Sequence, residues 1–151
     1  MSERTDKAVR LFHEGYNCSQ SVFASYADLF GIDEKTALKL SAGFGGGCGR
    51  QRELCGAVSG AVMVIGLKYG ATDGADRDGK KLCYEKVREF TDEFKKTNPS
   101  IVCRELLLGT GADSSSQPEE RTQQYYKKRP CAKIVEDSAR ALEKTILREM
   151  L

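Results

Sequence analysis

Apolar residues recur along this chain at helical intervals, and no stretch alternates apolar with polar as a strand would. Between Thr5 and His13 the apolar positions Ala8, Val9, Leu11 and Phe12 lie on one face, and Gly15 supplies a stop. Asn17 is placed to cap a second helix whose stripe is Cys18, Val22, Tyr26 and Leu29, closed by Gly31. Asp33 caps a short third helix through Ala37, Leu38, Leu40 and Ala42. The segment Gly43 to Gly49 then interrupts the pattern with five glycines around Phe44 and Cys48. Glycine costs backbone entropy in helices and strands alike, so this is a loop.

From Glu53 to Tyr69 the residues are apolar nearly all round, which predicts a buried central helix. Gly56 and Gly60, beside Ala57 and Ala61, form a flat small-residue stripe suited to close approach of another backbone. Gly70 to Asp76 reads as a loop. A helix over about Asp76 to Lys96 turns Cys83, Val87, Phe90 and Phe94 inward. Asn98-Pro99 restarts the chain as a short helix carrying Val102, Cys103, Leu106 and Leu107, because proline suits a first helical turn. Gly109 to Gln117 is the most loop-like segment and is expected to be mobile. After a polar stretch containing Tyr125 and Tyr126, Pro130 opens a last helix packing through Ile134, Val135, Ser138, Leu142, Thr145 and Ile146. The expected fold is all-α: one domain over residues 1–151, a bundle of about six to eight helices around a central helix rich in small residues.

Composition narrows the function. Apolar residues make up 40% and charged residues 30%, an ordinary globular mixture, and 151 residues suffice for a core without disulfide staples. Twenty-four basic against 22 acidic residues leave a net charge of +2, too little to hold nucleic acid or anionic lipid. Arg52, Lys68 and the run Lys127-Lys128-Arg129 lie scattered among carboxylates. The longest apolar stretch, Cys55 to Leu67, falls short of the roughly 20 residues of a membrane span. Residues Met1 to Lys7 lead straight into an amphipathic pattern without the apolar core of a signal peptide, so the expected compartment is the cytoplasm, where thiols stay reduced. His13 is the sole histidine, which excludes a serine triad or a histidine-rich metal site within one chain; it is expected on a helix surface. Gly45 to Arg50 lacks the lysine and the preceding strand of a phosphate-binding loop.

Against that background, six cysteines stand out: Cys18, Cys48, Cys55, Cys83, Cys103 and Cys131. None forms a CxxC pair, so zinc-ribbon, thioredoxin-like and c-type haem signatures are absent. Position is more telling than spacing. Cys18 follows the cap Asn17, Cys55 lies at the start of the central helix, Cys103 follows Asn98-Pro99 by about a turn, and Cys131 follows Pro130. Helix N-termini carry partial positive charge and free N–H groups, so these four are expected to converge as thiolates on one electropositive centre. Cys83, midway along an amphipathic helix, reads as a small core hydrophobe. Cys48 lies in the glycine loop, where the amides of Gly45, Gly46 and Gly47 would face sulfur or an anion, or simply form a tight turn. Arg50 and Arg52 beside that loop would offset a thiolate cluster, attract an anion, or remain solvated.

Cys18, then Cys55-Gly-Ala-Val-Ser-Gly60 in the pattern CGAxxG, then Cys103 and Cys131, resemble the C_GCAxxG_C_C family of redox-active proteins. Gly15-Tyr-Asn-Cys18, Gly43-Phe-Gly-Gly-Gly47, Gly66-Leu-Lys-Tyr-Gly70 and Cys103-Arg-Glu-Leu-Leu107 agree with it, over about Ala8 to Leu142. The resemblance implies a small helical protein with redox chemistry at the four named cysteines. Cytochrome c fusions among relatives imply electron transfer, so the expected partner is a redox protein such as a cytochrome or a membrane-associated electron carrier; a homodimer is compatible. Cys48 and Cys83 lie outside the defining four.

Four function classes follow. The first is an electron-transfer protein whose Cys18, Cys55, Cys103 and Cys131, with Cys48 as a further candidate, ligate an iron–sulfur cluster. The second is a metal-free thiol–disulfide enzyme or sensor, with a nucleophile such as Cys18 and a resolving partner. A structural Cys₄ zinc site and a helical interaction module with inert thiols complete the set. Missing CxxC geometry and a missing histidine base weigh against the second, and the absence of short ligand knuckles against zinc. Whether the chain is an enzyme stays open at this level.

Overall fold

A computed structural model describes residues 2–151. Among them the regular structure is helical: α1 (Glu3–His13), α2 (Cys18–Ala24), α3 (Glu34–Ser41), α4 (Gly56–Tyr69), α5 (Arg77–Phe94), α6 (Cys103–Leu106), α7 (Gln123–Lys128) and α8 (Cys131–Thr145). Short 3-10 turns at Ala27–Phe30 and Ala42–Phe44 extend α2 and α3. The all-α architecture read from the sequence is therefore the observed one. No described helix is long and apolar enough to cross a membrane.

Caps explain the boundaries. Ser2, Asn17, Asp33, Asp76 and Thr122 each accept a backbone N–H of the helix they open, and at α2 the Gln20 side chain closes a full capping box with Asn17. The cap at Thr122 makes Gln123–Lys128 a helix, although the sequence reads there only as a polar stretch. Helix α2 ends at Ala24, before its apolar stripe does. The hydroxyls of Ser21 and Ser25 donate to the carbonyls of Asn17 and Ser21, a local competition that favours leaving the regular helix, and the chain continues as the 3-10 turn to a left-handed Gly31.

Two starts differ from the sequence expectation for one shared reason. Helix α4 begins at Gly56 and not Glu53, and α6 begins at Cys103 and not at Pro99. Residues before each pair with one another instead: Leu54 and Val102 form an isolated antiparallel bridge. Cys55 N–H donates to Ile101 O, Cys103 N–H to Glu53 O, and Arg104 N–H to Arg52 O, at 2.8, 2.6 and 3.1 Å. These backbone bonds need extended chain on both sides, so neither segment joins its helix.

The α2–α4 pair is the hub: α4 also packs on α5 and α8, and α2 on α1, α3 and α8, while α1 lies across α2 and α8. Phe12, Phe23, Tyr26, Val58, Ile65, Phe90, Phe94 and Leu142 are fully buried around it. Cys83 and Val87 face the same core, half-buried. The Tyr26 hydroxyl donates to Glu143 of α8 at 2.5 Å, which satisfies the polar end of a buried ring.

The small-residue stripe of α4 meets α2 backbone to backbone. A β-carbon at Gly60 would stand 2.7 Å from Ser19 O and 3.2 Å from Phe23 N. At Gly56 it would meet Phe44 O at 3.1 Å and Cys18 Cβ at 3.3 Å. Gly66, one turn and a half further along the same helix, has nothing within 4 Å. Gly60→Ala is therefore expected to destabilise the fold by about 1–3 kcal/mol through forced separation of α2 and α4. Gly66→Ala, free of any such neighbour, is expected to stabilise it by roughly 0.5–1 kcal/mol from the better helix former. Denaturant unfolding of the two variants checks both signs; equal effects would place the stripe away from the helix contact.

Candidate redox site

Each of the four helix-start cysteines is placed by a different local device. Cys18 is the first residue of α2, beside a cap that also ties the helix to its neighbours. Asn17 Nδ2 donates to Ala42 O at 3.0 Å and Ser19 Oγ to Ser41 O at 2.7 Å. Cys55 is the capping residue of α4 and Cys103 the first residue of α6, and the Leu54–Val102 bridge sets these two starts side by side. Cys131 opens α8 after Pro130. All four line a single cavity of about 450 Å³. Cys48, in the expected ligand loop, is exposed and outside that cavity; Cys83 lies on α5, also outside it.

The loop at residues 43–52 supports the cavity by an unusual backbone. Gly46, Gly47, Cys48, Gly49 and Arg50 are consecutively left-handed, and Arg52 is left-handed too, at φ +62°. Reversed turns close it through Gly49 N–H to Gly43 O, Arg50 N–H to Gly45 O, and Arg52 N–H to Gly46 O. A left-handed non-glycine residue costs roughly 1–2 kcal/mol, and here three of them are held so. Gly45 and Gly46 line the cavity, whereas Gly47 is buried against the backbone of Arg52 and Glu53.

The result of that backbone is to carry arginines inward. Arg50, Arg52, Arg121 and Arg129 line the cavity against one carboxylate, Glu119. Arg50 donates to Ser115 O at 2.5 Å and to Gln117 O, and pairs with Glu119 at 3.2 Å. Arg129, 8% exposed, pairs with Glu119 as well. Arg121 donates to Phe12 O and Tyr16 O at 2.8 and 3.0 Å and lies over the Phe12 ring. Arg52, 9% exposed, donates through Nε to Asp113 O at 2.8 Å and through Nη1 to Cys103 Sγ at 3.7 Å. Its Nη2 is buried and has no partner among the described residues.

These surroundings divide the thiols. A contact with the Cys131 sulfur, reinforced by burial, pushes the Cys18 thiol well above its ordinary range. The same contact pulls Cys131 below its ordinary range, against burial and with help from Arg129, Arg121 and Arg52. Burial pushes Cys55 up to about 12, more than the amides of Val58 and Ala57 lower it. Burial also raises Cys103, and Arg52 only partly opposes it. Of the four, only Cys131 is drawn toward the thiolate; the other three are pushed away from it, against the sequence expectation. Helices α2 and α6 are too short to carry much dipole, and desolvation raises all three of the others, opposed by arginine only at Cys103.

Thiols are the donor set, and it suits a soft metal centre. Among the described residues no three of His, Cys, Asp or Glu stand close enough to grip a single metal ion. A closed mononuclear site needs all its ligands within reach of one ion. A cluster spreads them over several irons, so four sulfurs set around one cavity fit a cluster better. Excess positive charge fits a group that is itself anionic. Arg50 and Arg52 were visible in sequence beside the glycine loop; Glu119, Arg121 and Arg129 were not singled out. The signal for Arg129 was its position two residues before Cys131, hidden within a basic run that reads as a solvated face.

Segment 113–119 crosses this cavity as a strap pinned by Arg50 and Arg52, with Ser116, Pro118 and Glu119 on its inner face. Arg50→Ala keeps a β-carbon at the left-handed position and removes only the pins. Amide exchange over 113–119 is expected to quicken about tenfold or more, since each lost hydrogen bond to the charged group is worth about 1.5–3 kcal/mol. Exchange measured by mass spectrometry checks it, and unchanged protection would mean that the strap is held by something other than Arg50.

No curated protein and no solved structure matches this chain. A family model does, over residues 16–145, and its description reads "Putative redox-active protein (C_GCAxxG_C_C)". The matched span holds Cys18, the Cys55–Gly60 element, Cys103, Cys131 and every arginine of the cavity. With its four motif cysteines gathered on one cavity, the chain belongs to the C_GCAxxG_C_C family of redox-active proteins.

Proposed function

We propose that this protein transfers electrons, and that Cys18, Cys55, Cys103 and Cys131 together hold an iron–sulfur cluster in the arginine-lined cavity. The observation that supports it most is the convergence of four thiols, from four separate parts of the chain, on one pocket with surplus positive charge. When bound, such a cluster supplies one-electron chemistry. The chain's own residues do the rest. Four sulfurs from α2, α4, α6 and α8 ligate it as thiolates, and Arg50, Arg52, Arg121 and Arg129 offset the resulting negative charge. Burial of four uncompensated thiolates would be prohibitive, which is why the free thiols are held mostly protonated. The strap over 113–119 limits water at the centre. Cys48 and Cys83 take no part. The electron partner is a redox protein such as a cytochrome or a membrane-associated carrier.

A second reading has its own support in the contact between Cys18 and Cys131, which pushes the two thiols in opposite directions. As a dithiol, this pair would give two electrons and two protons to a partner disulfide, forming a Cys18–Cys131 bond and leaving the partner as two thiols.

Protein purified without oxygen is expected to be brown and to contain iron and acid-labile sulfide. Cys→Ser at Cys18, Cys55, Cys103 or Cys131 is expected to remove most of the iron, while Cys48→Ser and Cys83→Ser keep it. Iron analysis with the visible spectrum decides the matter. Iron-free protein that forms a reversible Cys18–Cys131 disulfide would overturn the cluster in favour of the dithiol.

A further inference from the structure

We propose that Arg52 sets the reduction potential of the sulfur-ligated centre, its Nη1 held on Cys103 Sγ and its Nη2 presented to the group that fills the cavity. The inference rests on the cluster reading above.

Arg52 differs from the other cavity arginines in one respect. The donors of Arg50 are engaged by the Ser115 and Gln117 carbonyls and Glu119, those of Arg121 by the Phe12 and Tyr16 carbonyls, and Arg129 is paired with Glu119. Arg52 alone has a buried nitrogen, Nη2, without a hydrogen-bond partner among the described residues. A cationic donor taken out of water and left unpaired is strongly unfavourable, so such a group marks the place of an absent acceptor. Its planar fork is locked: Nε is fixed on Asp113 O at 2.8 Å and Nη1 faces Cys103 Sγ at 3.7 Å, which leaves Nη2 no freedom to turn toward solvent. The backbone that delivers it is left-handed at φ +62°, in a loop with two more non-glycine residues so held. Strain of this kind persists where the surrounding structure requires one placement of a side chain.

The chemistry follows from charge. Reduction adds one electron to the centre and makes it more negative, with no bond made or broken in the protein. A buried guanidinium donating to a ligand sulfur and to the centre stabilises the reduced form more than the oxidised one, and so raises the potential. Lysine in its place would keep the charge and lose the two-pronged donation.

The experiment is a mediated titration of anaerobically purified full-length protein, with dithionite as electron donor, for wild type, Arg52→Gln and Arg52→Lys. At the wild-type midpoint, Arg52→Gln is expected to show a reduced-to-oxidised ratio lower by about tenfold or more, which is about 59 mV for a one-electron couple. Arg52→Lys is expected to shift in the same direction by less, with iron content near wild type in both. An Arg52→Gln protein that loads iron fully and keeps the wild-type midpoint overturns the proposal and leaves the cluster standing. If Arg52→Gln fails to load, Arg52→Lys carries the test, and an unshifted midpoint there overturns it. Loss of iron from both variants with helicity intact also overturns it, since Arg52 would then be an assembly residue. Wild-type protein without iron would sink the cluster reading itself, and this proposal with it.

Discussion

The close contact of α4 with α2 at Gly60 and Gly56, where a β-carbon would run into the backbone of the facing helix, is what the rest of the site depends on. It fixes the distance between the first turns of the two helices, and thereby the distance between Cys18 and Cys55. Ser19, whose carbonyl occupies the space of a Gly60 β-carbon, also donates its hydroxyl to Ser41 O. The same few atoms therefore seat α3 and the start of the glycine loop. The CGAxxG element thus serves packing and chemistry together: its cysteine faces the cavity and its glycines set where the cavity wall stands.

A second, smaller device brings in the other half of the site. The two-residue bridge between Leu54 and Val102 joins positions that are distant in sequence and aligns the starts of α4 and α6. Its cost is a shortened α4 and a shortened α6. Its effect is to set Cys103 beside Arg52, whose own backbone carbonyl accepts from Arg104 N–H. Thiol, arginine and bridge are one unit, and a change in any of them is felt by the other two.

Burial and charge oppose each other across the cavity. Desolvation pushes Cys55 and Cys103 toward the neutral thiol, while Cys131, in contact with Cys18 and close to Arg129, is the one sulfur whose surroundings favour the anion. Surplus arginine charge around sulfurs that burial pushes toward the neutral thiol is what the proposed anionic, thiolate-ligated cluster would balance. Glu119, shared by Arg50 and Arg129, offsets only part of it.

Helical periodicity, caps at Asn17 and Asp33, and glycine stops were enough to read the all-α fold from the sequence, because helices are made by contacts within a few residues. The same local rules placed Cys18, Cys55 and Cys131 at helix starts and kept Cys83 in the core. They misjudged the starts of α4 and α6, since the competing hydrogen bonds come from a partner segment far along the chain. They overstated the thiolates, because helix ends are legible in sequence and desolvation is not. The sequence left Arg52 between solvent and sulfur and showed Arg129 only as part of a solvated basic run; a left-handed loop sets the one on Cys103, and Glu119 with the Tyr125 ring holds the other in the cavity. Sequence alone determined the helices and the cysteine set; tertiary structure decided which charges meet those cysteines, because burial and pairing are properties of the packed chain.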